Sequence, residues 1–304
     1  MPTQQFMEEF HFDTIEDLLD ALAPWKKEIS LDGYIFRGHA QEDWNLVPSA
    51  LRDPDAFWAQ SHLGKPIADQ WQWESWQIKS EYQLLREFYR LADLQGIPVP
   101  SSKRIRLNMA MEWDHSGAVD MFAKERWLPE DLAEVAALAQ HYGIPTRLLD
   151  WSFDFYVALY FAISGAKNLA GNIKIWCLNS EYLSFLKTTI NKTNVEFITP
   201  HYSVNSNIQG QQGLFTHWLS TSDPVNEHIS LMNQGRVLLV NRTPLDQLLA
   251  QHMNNMNDGT IIFKTFTLPA SEAEKGLELL KKMNYGPARI FPGLQGVANQ
   301  VLGK

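Results

Sequence analysis

The segment that most constrains this chain is residues 141–163, where the imidazole of His141 and the charges of Arg147 and Asp150 lie among largely apolar side chains. It reads His-Tyr-Gly-Ile-Pro-Thr-Arg-Leu-Leu-Asp-Trp at its start and becomes almost wholly apolar from Phe155 to Ile163. His141, Arg147 and Asp150 are costly in such surroundings unless they pair or act on a ligand. The apolar run is far shorter than the roughly 20 residues of a membrane span, so it predicts a buried helix. A candidate site therefore precedes a helix at the centre of the fold.

A second arginine lies in a similar setting earlier in the chain. Residues 34–37 read as a strand, and its last residue, Arg37, is followed by Gly38. A guanidinium group presents a planar, permanently charged fork that suits phosphate or carboxylate. Arg37 and Arg147 together predict a pocket for an anion.

Composition limits the classes of function. The chain has 304 residues, of which 45% are hydrophobic, so it can bury a sizeable core. Its net charge of −9 disfavours nucleic acid as a partner, and the one compact basic cluster, residues 102–106, is expected to be a solvated loop. The single cysteine, Cys177, excludes an intrachain disulfide and a multi-cysteine zinc site. With neither a signal-like start nor a membrane-spanning run, we expect a cytoplasmic protein with no membrane partner and no metal.

Helical patterns dominate the first half of the chain and strand patterns the second. Apolar spacing and capping residues predict helices at residues 15–22, 78–91 and 129–143, after Ser152 or Asp154, and after a capping box at residues 271–274. Strands are predicted at residues 172–178, 235–240 and 260–266, with an extended segment at 146–149. This order favours an α+β fold with a mixed or antiparallel sheet and a helical N-terminal half.

Residues 53–80 look like a tryptophan-rich insertion. The tryptophans in it are Trp58, Trp71, Trp73 and Trp76. Such a cluster either covers a core or faces a partner, and burial is the more common use of large aromatic side chains. We expect them to cover a core, and the alternative is a protein-binding surface.

Familiar catalytic motifs are missing from the sequence. It has no phosphate-binding Gly-x-x-x-x-Gly-Lys loop, no Gly-x-Gly-x-x-Gly fingerprint, no Gly-x-Ser-x-Gly elbow and no His-Glu-x-x-His zinc motif. Enzymes as a class stay open. The remaining candidates for chemistry are Arg37, His141, Arg147, Asp150, Tyr160 and Gln211. A ligand with a pyrophosphate would suit such a set.

Several segments resemble, in order, the motifs of the FRG domain family, which is named for a Phe-Arg-Gly triplet. The matching segments are Phe36–Gly38, Trp44–Arg52, His141–Trp151 and Gln211–Thr216. Arg289–Gly296 is similar to the closing segment of many members. The chain departs from the pattern at Asn207, where many members place an arginine.

The resemblance implies a single FRG-type domain over residues 10–216, with the insertion at about 53–80. Residues 217–304 would form a C-terminal strand and helix extension packed on the same domain. The biochemical activity of the family is poorly defined, so the resemblance predicts the fold more firmly than the function.

The order of elements is also loosely similar to the ADP-ribosyltransferase superfamily. There, an early strand residue positions NAD, a Ser or Thr precedes a helix with small and aromatic residues, and a late turn offers Glu or Gln. The resemblance implies these roles for Arg37, for Thr146 or Ser152 with Ala158 and Phe161, and for Gln211. No acidic residue lies within residues 209–213, so Asp150 or Glu196 would have to supply the carboxylate.

We therefore predict a pocket for an NAD-like anionic nucleotide, with NAD as a substrate and no certain cofactor, acting in ADP-ribosyl transfer or NAD cleavage. The catalytic candidates are Arg37, His141, Asp150 and Gln211. The ligand-binding candidates are Arg37, Gly38, Thr146, Arg147, Trp151, Tyr160 and Gln211.

The alternative is a noncatalytic sensor or protein-interaction module, for example in bacterial or phage conflict. Arg147 and Asp150 would then be a buried ion pair, His141 a helix cap, and Trp151 and Tyr160 parts of the core. The two hypotheses differ in whether the polar residues converge on one open cleft.

Overall fold

A mixed seven-stranded sheet carries an α+β fold, as the sequence predicts. A computed structural model describes residues 6–23, 25–26, 28–111, 127–167, 169–190, 193–219, 233–234, 236–253 and 259–303. The strands are β1 Met7–His11, β2 Tyr34–His39, β3 Leu149–Ser152, β4 Asn172–Asn179, β5 Val195–Ile198, β6 Gly213–Trp218 and β7 Phe263–Pro269. Their order is β1-β7-β4-β2-β3-β6-β5, and β1 and β7 are the parallel pair.

The helices of the described residues lie on both faces of this sheet and around its edges. They are α1 Ile15–Ala21, α2 Ser49–Arg52, α3 Pro54–Gln60, α4 Glu74–Leu94, α5 Lys103–Leu107, α6 Glu130–His141, α7 Phe155–Gly165, α8 Ser180–Ile190, α9 Ser206–Gly210, α10 Leu245–Met253, α11 Ala273–Lys282, α12 Pro287–Ile290 and α13 Leu294–Leu302. Helices α1, α4, α6 and α7 confirm the predicted helical segments. None of the described helices combines the length and apolar character that a membrane crossing requires.

Helix α7 is the predicted central helix, and most of its side chains are buried. Asp154 caps it by accepting a hydrogen bond from the backbone N–H of Tyr156 at 2.9 Å. The helix packs so closely on β2 that a Cβ atom at Gly38 would lie 1.9 Å from the carbonyl oxygen of Ala158. The glycine of the Phe-Arg-Gly triplet therefore permits backbone contact between strand and helix.

Residues beyond 217 contribute directly to the sheet. Strand β7 lies between β1 and β4, and the rings of Phe10 and Phe266 stack with centroids 5.0 Å apart. Helix α11 packs on α7, with Gly276 close to Ile163. The N-terminal and C-terminal segments thus share one core with the middle of the chain, while the boundary at residue 216 stays a prediction.

Two predictions of local structure in the C-terminal part of the chain are wrong. The described residues 236–240 form no strand. Their backbone makes isolated hydrogen bonds to residues 72–74, such as the one of 2.9 Å from the Glu74 N–H to the Leu238 carbonyl oxygen. The predicted capping box also does not form, because Ser271 lies inside a 3₁₀ turn, Ala270–Glu272, that leads into α11, and no side-chain hydrogen bond caps that helix. Glu272, which lies between the two residues of the predicted box, accepts a hydrogen bond from the backbone N–H of Ile15 at 3.0 Å and so stabilises the start of α1.

The basic cluster at residues 102–106 lies on α5, so the prediction of a loop is wrong. The sequence already supplies a helix start there, because the Ser102 hydroxyl accepts a hydrogen bond from the backbone N–H of Ile105 at 3.3 Å. Arg104 and Arg106 form ion pairs with Asp131 and Asp93. The cluster is thus largely neutralised.

The tryptophans of the insertion pack as a core cover. Trp58 is buried against Phe57 and Leu84, and Trp71 and Trp76 are partly buried against the same cluster. Their packing supports the core-covering interpretation.

Candidate functional site

A cavity of about 310 Å³ lies among β2, β3, β6, α7 and α9. Its apolar wall consists of Phe36, Trp151, Ala158, Phe161, Ile208, Leu214, Phe215 and Phe291. Its polar side chains are Arg37, Gln140, His141, Asp150, Ser152 and Gln211. Gly38 and Gly213 complete the lining. Aromatic walls with a few convergent polar groups are typical of small-molecule sites.

Arg37 and Asp150 form the charged centre of the cavity. Nη1 of Arg37 lies 2.8 Å from Oδ1 of Asp150 and donates to its backbone carbonyl oxygen, also at 2.8 Å. The Arg37 side chain is only 12% exposed, whereas that of Asp150 is 64% exposed. Within the described residues no hydrogen bond engages Nη2 of Arg37. Part of the guanidinium fork therefore remains for a ligand.

The pKa of Asp150 reflects two opposed effects. Desolvation by the surrounding protein raises the pKa of this carboxyl group, although much of its surface is open to solvent, and the charge and hydrogen bond of Arg37 outweigh that rise. The net pKa lies below its ordinary value, so Asp150 is ionised at neutral pH. Glu196, the other acidic candidate, pairs with Lys187 and does not line the cavity.

His39 orients Arg37 and was not among the predicted site residues. Nε of Arg37 donates to Nε2 of His39 at 3.0 Å, and Nδ1 of His39 bonds the Trp44 carbonyl oxygen at 3.1 Å. Burial and the charge of Arg37 lower the pKa of His39 to about 3, so the ring is neutral. Residues two apart on a strand share a face, and this spacing in the sequence is the signal that points to His39.

Gln140 connects the predicted residue Thr146 to the cavity. The Thr146 hydroxyl donates to Oε1 of Gln140, whose Nε2 donates to Oδ1 of Asp150 at 3.3 Å. Thr146 itself is buried and does not line the cavity. It therefore acts through Gln140 on the carboxylate rather than on a ligand, and Ser152 is the hydroxyl residue in the lining.

His141 lines the cavity as an uncharged group. Its Nε2 lies 3.0 Å from the side-chain amide nitrogen of Asn207, and burial lowers its pKa. Because the amide N–H donates to Nε2, the ring proton is on Nδ1. His141 is thus a hydrogen-bond donor at neutral pH, and Asn207 fixes its tautomer.

Arg147 lies away from the cavity, and its ion-pair partner differs from the expected one. Nε of Arg147 donates to both carboxylate oxygens of Glu81 at 2.8 and 3.0 Å, and Nη2 donates to Glu74 at 3.1 Å. All three groups are buried. The interpretation of Arg147 and Asp150 as an ion pair is therefore wrong. Because the guanidinium nitrogens of Arg147 already donate to Glu74 and Glu81, this arginine does not bind a ligand in the cavity.

Of the other predicted site residues, the structure brings Gly38, Trp151 and Gln211 to the cavity. Tyr160 is buried in the core cluster of α7 and does not line it. Trp151 is buried as well, and its indole N–H donates to the Thr216 hydroxyl at 2.9 Å. The sequence pattern predicts that Trp151 and Tyr160 lie in one buried segment, but it does not distinguish a side chain of the core from one of the cavity wall.

Comparison with family models gives one result. Residues 32–170 match the model of the FRG domain. This part of the chain is an FRG domain. Comparisons with curated proteins and with solved structures give no match.

The FRG domain supplies most of the cavity but not all of it. Arg37, His141 and Asp150 lie within the matched residues 32–170. Gln211 and Phe291 lie beyond them and close the cavity from α9 and from the loop after α12. The C-terminal part of the chain therefore completes the wall that the FRG domain begins.

Two buried histidines give the stability of the protein a pH dependence. Burial, with the charge of Arg37 for His39 and of Arg147 for His217, lowers both pKa values to about 3 from an ordinary 6.5. Between these pH values the unfolded chain binds more protons, so the free energy of unfolding falls as pH falls from about 6.5. We expect about 1.4 kcal/mol per pH unit for each histidine, measured by urea unfolding at pH 7, 6 and 5.

His39→Gln is expected to reduce the slope of the free energy of unfolding against pH by about 1.4 kcal/mol per pH unit, whatever it does to the absolute stability. His62→Gln, at an exposed histidine, is the matched control and is expected to keep the slope. An unchanged slope in His39→Gln would contradict the assignment of a neutral ring.

Proposed function

We propose that the cavity binds an NAD-like nucleotide and that the protein acts in NAD cleavage or ADP-ribosyl transfer. The observation that carries the proposal is the meeting of Arg37, Asp150 and aromatic walls in one cavity. Aromatic side chains suit a nicotinamide or adenine ring, and the open side of the Arg37 fork suits a phosphate. The cavity is at the lower end of the roughly 300–1,000 Å³ of small-molecule sites, so it would hold one end of a dinucleotide.

Asp150 would carry the chemistry. Loss of nicotinamide from NAD leaves positive charge on the ribose, which an ionised carboxylate held in a cavity stabilises. Water or an acceptor group would then form the new bond to the ribose carbon. His141, a neutral donor, and Gln211, which cannot act as a base, would hold polar groups of the ligand by hydrogen bonds.

Replacing Arg37 and Asp150 one at a time distinguishes a loss of NAD binding from a loss of turnover. NAD at a hundredfold excess over its Kd is expected to stabilise the wild type by about 2.7 kcal/mol, read as a rise in Tm. Arg37→Lys keeps the charge but loses the fork, and we expect it to lose most of this stabilisation. Asp150→Asn is expected to keep binding and to lower nicotinamide release by about 10²- to 10³-fold, the range typical of a lost charge-stabilising group.

Glu196→Gln is the matched control, because it removes a carboxylate that pairs with Lys187 outside the cavity. It is expected to leave binding and nicotinamide release unchanged. A wild-type protein that neither gains stability from NAD nor releases nicotinamide would reject the proposal.

A second candidate is a noncatalytic sensor or interaction module in bacterial or phage conflict. The observation that favours it is the close pairing of Arg37 with Asp150, since each charge is already compensated by the other. In this case NAD or another anion would raise the Tm of the wild type without any nicotinamide release. The tryptophan-rich insertion would be the surface to test for a protein partner.

A further inference from the structure

The cavity wall offers a ligand two aromatic rings, those of Phe161 and Phe291, which are both half-buried. The other phenyl and indole rings of the described lining belong to Phe36, Trp151 and Phe215. These three side chains are at most 6% exposed and belong to the core. A ring stacks on a ligand only where part of its surface is accessible. The aromatic contact with a ligand therefore falls to Phe161 and Phe291.

Of these two rings, that of Phe291 is the freer. The rings lie edge to face, with centroids 5.9 Å apart and planes at 88° to one another, so they cannot both lie flat on one planar base. Phe161 also contacts the ring of Tyr160 at 5.9 Å, whereas Phe291 meets only Phe161 among the aromatic rings that the structure describes. Phe291 is thus the candidate for stacking.

The segment before Phe291 is held at the start of α7 by one carboxylate oxygen. Oδ1 of Asp154 caps α7, whereas Oδ2 accepts hydrogen bonds from the hydroxyl of Tyr285 at 2.7 Å and from Nη2 of Arg289 at 3.2 Å. Burial and the Asp154 carboxylate raise the pKa of Tyr285 to about 12, so the hydroxyl keeps the proton that it donates. Asp154 lies within the matched FRG domain, and it joins this domain to the segment that carries Phe291.

The same segment packs against α9, directly before Gln211. A Cβ atom at Gly210 would lie 2.6 Å from the carbonyl oxygen of Arg289, so backbone contacts backbone there. Ile290 is fully buried in the core cluster that includes most of α7. Because its neighbours are fixed on both sides, Phe291 has a defined place in the cavity wall.

We propose that Phe291 stacks on the nicotinamide ring of the nucleotide, and that Asp154 is a positioning residue that acts on the ligand through Phe291. The inference rests on the proposed function and adds which part of the substrate the cavity holds. Asp150 can stabilise charge on the ribose only if the nicotinamide end enters the cavity, whose volume of about 310 Å³ keeps that ring within reach of the aromatic wall. The nicotinamide ring of NAD is positively charged, and the face of an aromatic ring attracts a cation.

Calorimetry with NAD and ADP-ribose tests the stacking, because ADP-ribose carries a hydroxyl group in place of the nicotinamide. We expect the wild type to bind NAD at least about fivefold more tightly than ADP-ribose, the effect of stacking on one aromatic ring. Phe291→Leu is expected to lose this preference. Phe291→Tyr keeps the ring and is expected to retain it.

Asp154→Asn changes one atom of the positioning contact. The amide keeps an oxygen that can cap α7, since Asn and Asp are equally good caps, but its nitrogen cannot accept from Tyr285 or Arg289. We expect the preference for NAD to fall about as far as in Phe291→Leu, and no further in the double variant, because both changes act through one ring. Asp53→Asn is the matched control. Asp53 caps α3 through Oδ1 away from the cavity, and its variant is expected to keep the preference.

The ratio of the two affinities distinguishes the inference from the proposed function, since general damage to the fold weakens both probes alike. If the wild type binds both probes equally well, or if Phe291→Leu keeps the preference for NAD, Phe291 does not stack on nicotinamide, whereas the nucleotide site stands. If Phe291→Leu loses the preference and Asp154→Asn keeps it, the positioning role of Asp154 is overturned. If the wild type binds neither probe, the proposed function fails and the inference fails with it.

Tyr285→Phe gives a second test of the positioning role should Asp154→Asn not fold. It removes one of the two donors to Oδ2 of Asp154 and leaves the carboxylate and the cap of α7 in place. We expect it to lower the preference for NAD over ADP-ribose. A preference as strong as in the wild type would overturn the role of this contact.

Discussion

Gly38→Ala is expected to lower the free energy of unfolding by at least about 4 kcal/mol, a large part of the roughly 5–15 kcal/mol that stabilises a typical protein. The added Cβ would lie 1.9 Å from the Ala158 carbonyl oxygen and 2.8 Å from the Ala162 nitrogen. Both are backbone atoms of α7, so a change of side-chain rotamer cannot relieve the overlap. Helix α7 would have to move away from β2, which also opens the cavity wall beside Arg37.

Urea unfolding of Gly38→Ala and Gly213→Ala measures this effect against a matched control. Gly213 also lies on a strand and lines the cavity, but the nearest atom to its added Cβ is a side-chain methyl of Ile208 at 3.2 Å. We expect Gly213→Ala to stay within about 1 kcal/mol of wild type, because a methyl group can shift.

A second-site change tests the backbone origin of the loss. Ala158→Gly removes the side chain but not the carbonyl oxygen, so it is not expected to rescue Gly38→Ala. Rescue by Ala158→Gly, or equal losses at Gly38 and Gly213, would contradict the close approach of strand and helix.

Elements with strong local patterns were predictable, and elements defined by pairing were not. Helix α7 is apolar on all sides and follows a capping aspartate, so its identity and burial are local properties. Strand β1 is a partly exposed edge strand with two adjacent glutamates, and it gains its pairing from β7, which lies more than 250 residues away in sequence. The apolar residues 237–240 show the converse, since a strand-like pattern forms no strand without a neighbouring strand to pair with.

The candidate site shows the same division. The sequence predicts three of the cavity residues, Arg37, His141 and Asp150, because polar groups in apolar segments are costly unless they pair or bind a ligand. All three line the cavity. Their partners depend on tertiary structure, as Asn207 and Gln140 show. One wrong pairing was avoidable, since residues three apart in an extended segment face opposite sides, as Arg147 and Asp150 do.

The true partners of Arg147 also carried a signal in the sequence. Glu74, Gln77 and Glu81 recur at intervals of three and four residues, which puts them on one face of α4. All three are buried, and Gln77 donates to Glu81 at 2.9 Å. Two carboxylates on the buried face of a helix require a cation from elsewhere, and Arg147 provides it.

Arg147→Met is expected to lower the free energy of unfolding by about 3–5 kcal/mol, because it leaves Glu74 and Glu81 buried without a cation. Burial by itself lowers the pKa of Arg147, and the two glutamates more than reverse this, so the guanidinium is firmly charged. Burial raises the pKa of Glu81 against the charge of Arg147, so loss of that charge would raise it further. Chemical denaturation at pH 7 measures the loss.

A triple variant distinguishes the effect of the unpaired buried carboxylates from the effect of lost packing around Arg147. Glu74→Gln and Glu81→Gln, combined with Arg147→Met, remove all three charges, and the triple variant is expected to recover much of the stability because no buried charge is left unpaired. Arg106→Met breaks an ion pair with Asp93 at the surface, where water screens the charges, and is expected to have little effect. If Arg147→Met were no worse than Arg106→Met, the buried carboxylates would have to be hydrated or protonated. If the triple variant recovered nothing, the loss would come from packing rather than from the unpaired charge.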